Sequence, residues 1–310
     1  MNQTDILELK VLNKLARQFS NDLDHFVKHE QLDQNFKADF KTYFLPLAVW
    51  INNQHLGIPL IIGVNGAQGS GKTTLCKLLV QIIGKLFNKT VLHLSIDDLY
   101  YSRNKRLSLS KSIHSLLNIR GVPGTHNVDL GLSILSNIKD QTIKNINLPV
   151  FDKSIDDVLS STHWKSIPQN IDIVLFEGWC VGAVPQTENA LKSPINKLEE
   201  TEDIKGHWRQ YVNDQLSNQY KALFSHIDYL IMLKAPNMEC VFEWRNLQET
   251  KLKNTRKNNQ RMMSENEIKH FIMYFERITR HCLQEMPARA SVLLNLNIDH
   301  QIMDIKFRDH

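Results

Sequence analysis

The sequence predicts an α/β fold, a parallel sheet with helices on both faces. Three observations predict it. Short continuous apolar runs at 60–64, 91–96, 171–176 and 227–233 alternate with helical patterns. None of these runs has the apolar/polar alternation of a half-exposed strand, so each reads as a strand buried on both sides. The first run leads directly into a glycine-rich turn and then an apolar helix, the order of a phosphate-binding loop.

Taken in order, residues 1–57 precede the first strand and read as helical, with Ile6, Leu7, Leu9, Leu12 and Leu15 at near-helical spacing. They are expected to form an N-terminal extension packing on the sheet's periphery. Next comes Leu60-Ile61-Ile62-Gly63-Val64-Asn65-Gly66-Ala67-Gln68-Gly69-Ser70-Gly71-Lys72-Thr73-Thr74-Leu75, a strand followed by Gly-x-x-x-x-Gly-Lys-Thr and a helix. The glycines let the backbone aim N–H groups at phosphate oxygens, and the helix opening at Lys72 presents its positive end to the same anion. The stretch from Gly66 through Ala67, Gln68, Gly69, Ser70, Gly71, Lys72 and Thr73 to Thr74 is therefore the expected nucleotide cradle. Lys72 bridges the outer phosphates in this reading, and Thr73 holds Mg²⁺. With this motif the predicted sheet is of the P-loop NTPase type.

In open α/β sheets the ligand crevice lies beyond the carboxyl ends of the strands, so the residues ending each run carry the next expectations. The second run ends in Ser95-Ile96-Asp97-Asp98-Leu99-Tyr100. Phosphoryl transfer to a hydroxyl calls for a carboxylate that accepts or orients the departing proton, and Asp97 is positioned for it. Asp98 either serves the Mg²⁺ shell or caps the turn. The third run ends in Phe176-Glu177-Gly178-Trp179. An acid closing an apolar strand beside a P-loop strand reaches Mg²⁺ directly or through water, and here that acid is Glu177.

Between these strands lie Arg120-Gly121-Val122-Pro123-Gly124-Thr125-His126-Asn127-Val128-Asp129 and Pro149-Val150-Phe151-Asp152-Lys153-Ser154. The first is a rigid turn-rich loop carrying a cation, an imidazole and a carboxylate. Arg120 suits two-pronged capture of a carboxylate or phosphate, and Lys153 supplies a point charge. His126 reads either as a satisfied structural histidine or as a metal ligand or base. The polar region from Pro185 to Gly206, with its acidic cluster Glu199-Glu200-Thr201-Glu202-Asp203, reads as a surface excursion. Asn196-Lys197-Leu198-Glu199 faintly echoes a guanine-reading motif, but it ends in glutamate without a leading strand and is read as surface loop.

A single amphipathic helix is expected over 207–224, marked by Trp208, Tyr211, Val212, Leu216, Leu223 and Phe224. The basic stretch 244–261 holds Arg245, Lys251, Lys253, Arg256, Lys257 and Arg261. It suits either a solvated helix face or a helical lid whose arginines close over the transferring phosphoryl group, with Arg245 first and Arg256 second. A helix at 265–286 and strands at 292–296 and 302–307, paired through the Asp299-His300 turn, complete the chain. The expected organisation is one kinase domain over 1–310: extension 1–57, nucleotide- and acceptor-binding core 58–240, lid 241–262, and C-terminal helix and strands 263–310.

Bulk properties exclude some classes. The 310 residues are 42% hydrophobic and 23% charged, with net charge +4, which argues for neither nucleic acid nor a membrane surface as partner. No signal peptide or membrane span is visible. Cys76, Cys180, Cys240 and Cys282 lack CxxC spacing, so a reducing, cytoplasmic compartment is expected.

Together the P-loop, Ser-Ile-Asp-Asp-Leu-Tyr, Arg-Gly-Val-Pro-Gly-Thr-His, Phe-Asp-Lys-Ser, Phe-Glu-Gly-Trp and Trp244-Arg245…Gln248 resemble the D-glycerate 3-kinase group of P-loop kinases. That group is related to uridine kinase, phosphoribulokinase and bacterial-type pantothenate kinase. The resemblance runs from Tyr43 to the C-terminus. It implies ATP-dependent, Mg²⁺-supported phosphorylation of a small hydroxyl acceptor. Asp97 then matches the catalytic aspartate, with Lys72 and Arg245 beside it in catalysis. Tyr100, Arg120, His126, Asp129 and Lys153 fall on the acceptor side. The group commonly continues Gly-Thr-His-Asp where this chain has Asn127, with Asp129 two residues on. Glycerate is the expected acceptor; a nucleoside, pantothenate or another sugar acid is the alternative within enzymes. A nucleotide-regulated binding protein is the alternative outside them.

Overall fold

The computed structural model describes residues 3–33, 36–141, 145–168, 170–255 and 264–308. Ten strands occur among them: β1 (Leu60–Gly66), β2 (Val91–Ser95), β3 (Asn145–Leu148), β4 (Phe151–Asp152), β5 (Asp157–Val158), β6 (Lys165–Pro168), β7 (Ile173–Gly178), β8 (Tyr229–Lys234), β9 (Val292–Leu296) and β10 (Ile302–Phe307). Six form one sheet in the order β10-β9-β8-β1-β7-β2. β9, β8, β1, β7 and β2 are parallel, and β10 folds back antiparallel on the edge. All seven residues of β1 and all six of β7 are buried, which is why these runs carry no alternation.

Two apolar layers cover the faces. On one, the P-loop helix Lys72–Phe87 packs Leu78, Leu79 and Ile82 with Ile62 and Val64 of β1. The N-terminal helices Gln3–Gln18, Ser20–His29 and Leu45–Gln54 join this layer through Phe19, Leu45, Leu47 and Ile51, each fully buried. The extension is thus part of the main core and not a peripheral pad. Phe19 stacks on Phe40 at 5.5 Å, and Lys77 bridges to Glu30 at 2.9 Å, tying the extension to the P-loop helix. On the other face, helix Val128–Asp140 and helix Glu265–Glu285 pack Ile134, Leu135, Phe275 and Ile278 with Val174 and Phe176 of β7.

Three departures from the sequence reading have physical causes. The helix expected over 207–224 is two, His207–Ser217 and Gln219–Phe224, because Asn218 leaves helical geometry at φ −111°, ψ −96°. The ribbons β3/β6 and β4/β5 were not expected, since strands of two to four residues show no periodicity. The polar region 185–206 lies mostly at the surface, but two acids of its cluster turn inward. Glu199 and Asp203 are buried, paired with Arg277 at 2.6 Å and Arg209 at 3.0 Å. Asn196 in the false guanine motif caps helix Lys197–Glu202, its side-chain oxygen accepting from Glu199 N–H.

No helix among the described residues is long and apolar enough to cross a membrane.

Candidate active site

The parallel strands end together, and their last residues assemble the site. After β1 the chain turns through Gly69 at φ +79° and Gly71 at φ +88°, a region that costs any side chain with a Cβ. Gly69 has a second reason to lack a side chain. A Cβ there would stand 2.8 Å from the Cβ of Trp244, whose indole N–H donates to Ile298 O and whose ring stacks on His300 at 4.2 Å. The P-loop is thereby braced against helix Met238–Thr255 and against the β9–β10 turn. Lys72 opens the P-loop helix, and Thr73 and Thr74 follow it in the first turn.

Glu177 lies on β7 beside this turn. Its Oε1 accepts from the Thr73 hydroxyl at 2.8 Å and stands 3.4 Å from His93 Nε2 on β2. Burial alone would raise the Glu177 pKa, but His93, Lys72 and Thr73 outweigh it and the net shift is downward. Its Oε2 is buried without a hydrogen-bond partner among the described residues. A hydroxyl and an ionised carboxylate with a spare oxygen, beside a phosphate loop, fit Mg²⁺, which takes few protein ligands and completes its shell with phosphates and water. No group of three or more His, Cys, Asp or Glu among the described residues forms an all-protein cage.

Asp97 sits in the 3-10 turn Ile96–Leu99 that follows β2, where the Ser95 side chain caps the Asp97 N–H. Its Oδ1 accepts from the Tyr100 hydroxyl at 2.8 Å, and its Oδ2 accepts from Lys153 Nζ at 2.5 Å. Burial pushes the Asp97 pKa up, but Lys153, Tyr100 and Lys72 outweigh it and bring the carboxyl down to about 2. Burial and Asp97 together hold the Tyr100 hydroxyl protonated, so it is a dependable donor. Asp98 carries a raised pKa, first from burial and then from Asp97, and lines a small cleft with Tyr101, Asn127 and Trp164 on a different side of the turn.

The loop 120–127 is held from several sides. Trp179, next to Gly178 at the end of β7, donates its indole N–H to Gly121 O at 2.9 Å, and the Thr125 hydroxyl bonds Gly121 N and Val122 O. Gly121 faces the Phe275 ring of helix Glu265–Glu285, with no room for a Cβ. Tyr220 OH accepts from Gly124 N–H and shares a hydrogen bond with His126 Nδ1, 2.5 Å away. His126 stacks on Tyr100 at 4.6 Å, and burial pushes its pKa down to about 4. It is a neutral imidazole whose Nε2 has no hydrogen-bond partner among the described residues, and its low pKa makes it a weak base. Asn127 is the N-cap of helix Val128–Asp140, accepting from Leu130 N–H. An aspartate would cap the same way, so the family's usual residue and this one share a structural role here. Asp129 is exposed in the first turn of that helix and is not gathered to Asp97.

Arg120 lies over the Phe151 ring at 5.4 Å and pairs with Asp156. Sequence reasoning missed Asp156 and Arg106. Arg106 is 1% exposed and donates to Tyr101 O, Asn118 O and Asp156 O, joining the acceptor-side segments. Nothing in its polar helix, Arg103–Ser112, flags it in the sequence. His93 escaped notice for the same reason, being a polar residue inside an apolar strand. Arg245 follows Trp244, donates to Gln248 and lies over the Phe271 ring at 5.5 Å. Arg256 lies outside the described residues. A cavity of about 650 Å³ between Gly182, Leu216, Leu230 and Arg289 contains no P-loop residue and is separate from this site.

A buried histidine kept neutral makes stability depend on pH. His126 takes no proton in the folded state until about pH 4, while the unfolded chain takes one near the ordinary value of 6.5. The unfolded state therefore binds more protons between these values, and stability falls as pH drops through that window. Lowering pH from 7.5 to 5 is expected to cost about 2 kcal/mol through His126. Urea unfolding of His126→Phe should lack this share of the acid destabilisation; an identical pH dependence in both proteins would refute it.

The comparisons decide the family. The family model described as the KAP family P-loop domain matches residues 40–269. The chain belongs to this P-loop family, among the D-glycerate 3-kinase-like kinases. An uncharacterized kinase of Schizosaccharomyces pombe is 30% identical over 226 residues, covering 71% of this chain and 79% of that protein. The chloroplastic D-glycerate 3-kinase of Arabidopsis thaliana is 28% identical over 255 residues, 76% of this chain but 53% of that protein's length. The solved D-glycerate 3-kinase of Cryptococcus neoformans superposes with a TM-score of 0.68 at 25% identity, covering 86% of this chain and 97% of that one. This P-loop kinase is a phosphotransferase, and ATP use follows from its family.

Proposed function

We propose that this P-loop kinase transfers the γ-phosphoryl group of Mg²⁺·ATP to a hydroxyl of a small acidic acceptor, D-glycerate foremost. The observation that carries the reading is the Asp97 carboxylate, lying within the field of Lys72 and flanked by Lys153 on the acceptor side. A pure nucleotide switch has no use for such a carboxylate.

In this reading the backbone from Gly66 to Thr74 and the Lys72 ammonium hold the phosphates. Thr73 and Glu177 would hold Mg²⁺, which would supply charge neutralisation to the nucleotide phosphates. Asp97 receives the acceptor hydroxyl. While Lys153 is paired with it the carboxyl stays near 2, so in this reading its first work is to orient the nucleophile while the loose transfer proceeds, taking the proton late. Lys153 and Arg120 meet the acceptor carboxylate, and Tyr100 and His126 shape the wall behind it. Asp129, exposed, keeps at most an outer contact. In this reading Arg245 belongs to a lid over 241–262 that would exclude water, Arg256 being its second arginine by sequence alone, with 58–240 as core, 1–57 as extension and 263–310 as closing helix and strands. The four cysteines are buried and unpaired, which supports a reducing compartment such as the cytoplasm.

The test is incubation of the purified protein with ATP, Mg²⁺ and a mixed pool of hydroxy acids, nucleosides, pantothenate and polyols, with products read by mass spectrometry. Phosphoglycerate is the expected product. A phosphorylated nucleoside or pantothenate with no phosphorylated acid would replace the acceptor. Absence of any phosphorylated acceptor would defeat the kinase assignment at this site.

A further inference from the structure

We propose that Lys153 is a lock on Asp97 that an anionic acceptor opens, so that selectivity for hydroxy acids over neutral polyols and water resides in this ion pair. The inference rests on the acceptor reading above and adds how the site refuses the wrong nucleophile.

Both oxygens of Asp97 are occupied, and by partners of different kinds. The Tyr100 hydroxyl on Oδ1 belongs to a ring only 7% exposed, stacked on His126 and edge-on to Phe151 at 5.1 Å. It is a permanent partner. The Lys153 ammonium on Oδ2 ends a side chain that is 57% exposed. Its backbone is nonetheless pinned. The turn between β4 and β5 is closed by Ser154 N–H and Oγ, both donating to Asp152 Oδ1, and Asp156 at its far side adopts φ +57° and is gripped by Arg106 and Arg120. A fixed anchor with a long, solvent-exposed side chain carrying the cation is the construction of a latch.

While the latch is closed, a hydroxyl arriving at Oδ2 meets a carboxylate already neutralised. Water and glycerol bring nothing to draw the ammonium away. A carboxylate does, because it offers Lys153 a replacement anion and the ion pair is exchanged rather than broken. Once Lys153 has moved to the acceptor, Asp97 recovers its basicity. The acceptor oxygen then attacks the γ-phosphorus and the bond to the β–γ bridging oxygen breaks. Its electron pair leaves with ADP, and the hydroxyl proton passes to Asp97 and on to solvent. The exchange also acts as a ruler. Since Lys153 and Asp97 start in contact, it favours acids whose carboxylate and hydroxyl oxygens lie roughly 3–5 Å apart, as in two- and three-carbon hydroxy acids.

The experiment compares wild type, Lys153→Met, Lys153→Arg and Asp97→Asn/Lys153→Met by ADP release with no acceptor, with glycerate and with glycerol. Exposure of Lys153 makes misfolding of these variants a minor concern, and circular dichroism checks it. Lys153→Met is expected to lower glycerate kcat/KM about 100-fold and to raise acceptor-free ATP hydrolysis about tenfold. Its preference for glycerate over glycerol should collapse. Lys153→Arg keeps the low acceptor-free rate, and the double variant loses the rise. Acceptor-free hydrolysis that stays at the wild-type rate in Lys153→Met, with only the glycerate KM raised, would overturn the lock and leave Lys153 a simple binding group. Failure of the acceptor reading is seen separately, in wild type that phosphorylates no hydroxy acid; that outcome removes the opening step as well.

Discussion

Asp97→Asn is expected to lower kcat by about 10²–10⁴ while ATP affinity stays within about twofold. The substitution keeps the shape and the ability to accept from Tyr100, but it replaces the oxygen that faces Lys153 or a hydroxyl with either a neutral acceptor or an N–H₂ donor. The proposed nucleotide contacts come from a different strand end, the turn after β1, and the Thr73–Glu177 hydrogen bond is untouched. Turnover and binding should therefore separate. The measurement is single-turnover phosphoryl transfer alongside equilibrium ATP binding. Turnover within threefold of wild type would remove Asp97 from the reaction, and a matching loss of ATP affinity would make it a scaffold residue.

Glu199→Ala is expected to destabilise the fold by about 3–5 kcal/mol. Glu199 is fully buried and meets Arg277 in a two-pronged pair, Nε to Oε1 at 2.7 Å and Nη2 to Oε2 at 2.6 Å. Truncation leaves the Arg277 guanidinium in the interior with only the carbonyls of Ala190 and Ser193 and the Gln186 side chain for company. The cost is that of an uncompensated charge and not of the pair itself, so Glu199→Leu with Arg277→Met should recover part of the loss. Urea unfolding of wild type, Glu199→Leu, Arg277→Met and their double variant closes a double-mutant cycle, with Glu199→Ala measured beside it. A loss below about 1 kcal/mol in Glu199→Ala would mean that water reaches Arg277. The consequence extends to the site, because the same helix carries Phe275, which packs on Gly121 and meets Trp179 at 4.9 Å. Weakening its anchorage should raise the acceptor KM before it affects ATP.

This buried pair marks the boundary of what could be read in advance. Glu199 looked solvated because its neighbours Glu200 and Glu202 are, and no one-dimensional pattern distinguishes the acid that finds a guanidinium 78 residues away. The break at Asn218 is of the same kind. Apolar residues on both sides keep a helical spacing, and what interrupts it is the docking of Tyr220 under the loop 120–127. Lys153 and Asp97 each stood in a motif, but nothing in the sequence joined the two: their contact spans 56 residues and depends on a two-residue ribbon too short to leave a signal.

By itself the sequence determined the parallel sheet, the phosphate loop and the strand ends on which Asp97 and Glu177 stand. These follow from local chemistry: runs buried on both faces must be apolar throughout, a backbone that curls around an anion needs Gly69 and Gly71, and acids tolerate strand ends where the crevice admits water and cations. Only the tertiary structure decided which charges meet. It joined Thr73 to Glu177, Lys153 to Asp97, Arg106 and Arg120 to Asp156, and His126 to Tyr220 as a neutral ring. The physical reason is that an apolar pattern reports whether a position is buried. A charge acquires its role from the partner that packing brings within about 3 Å, and that partner is not written beside it.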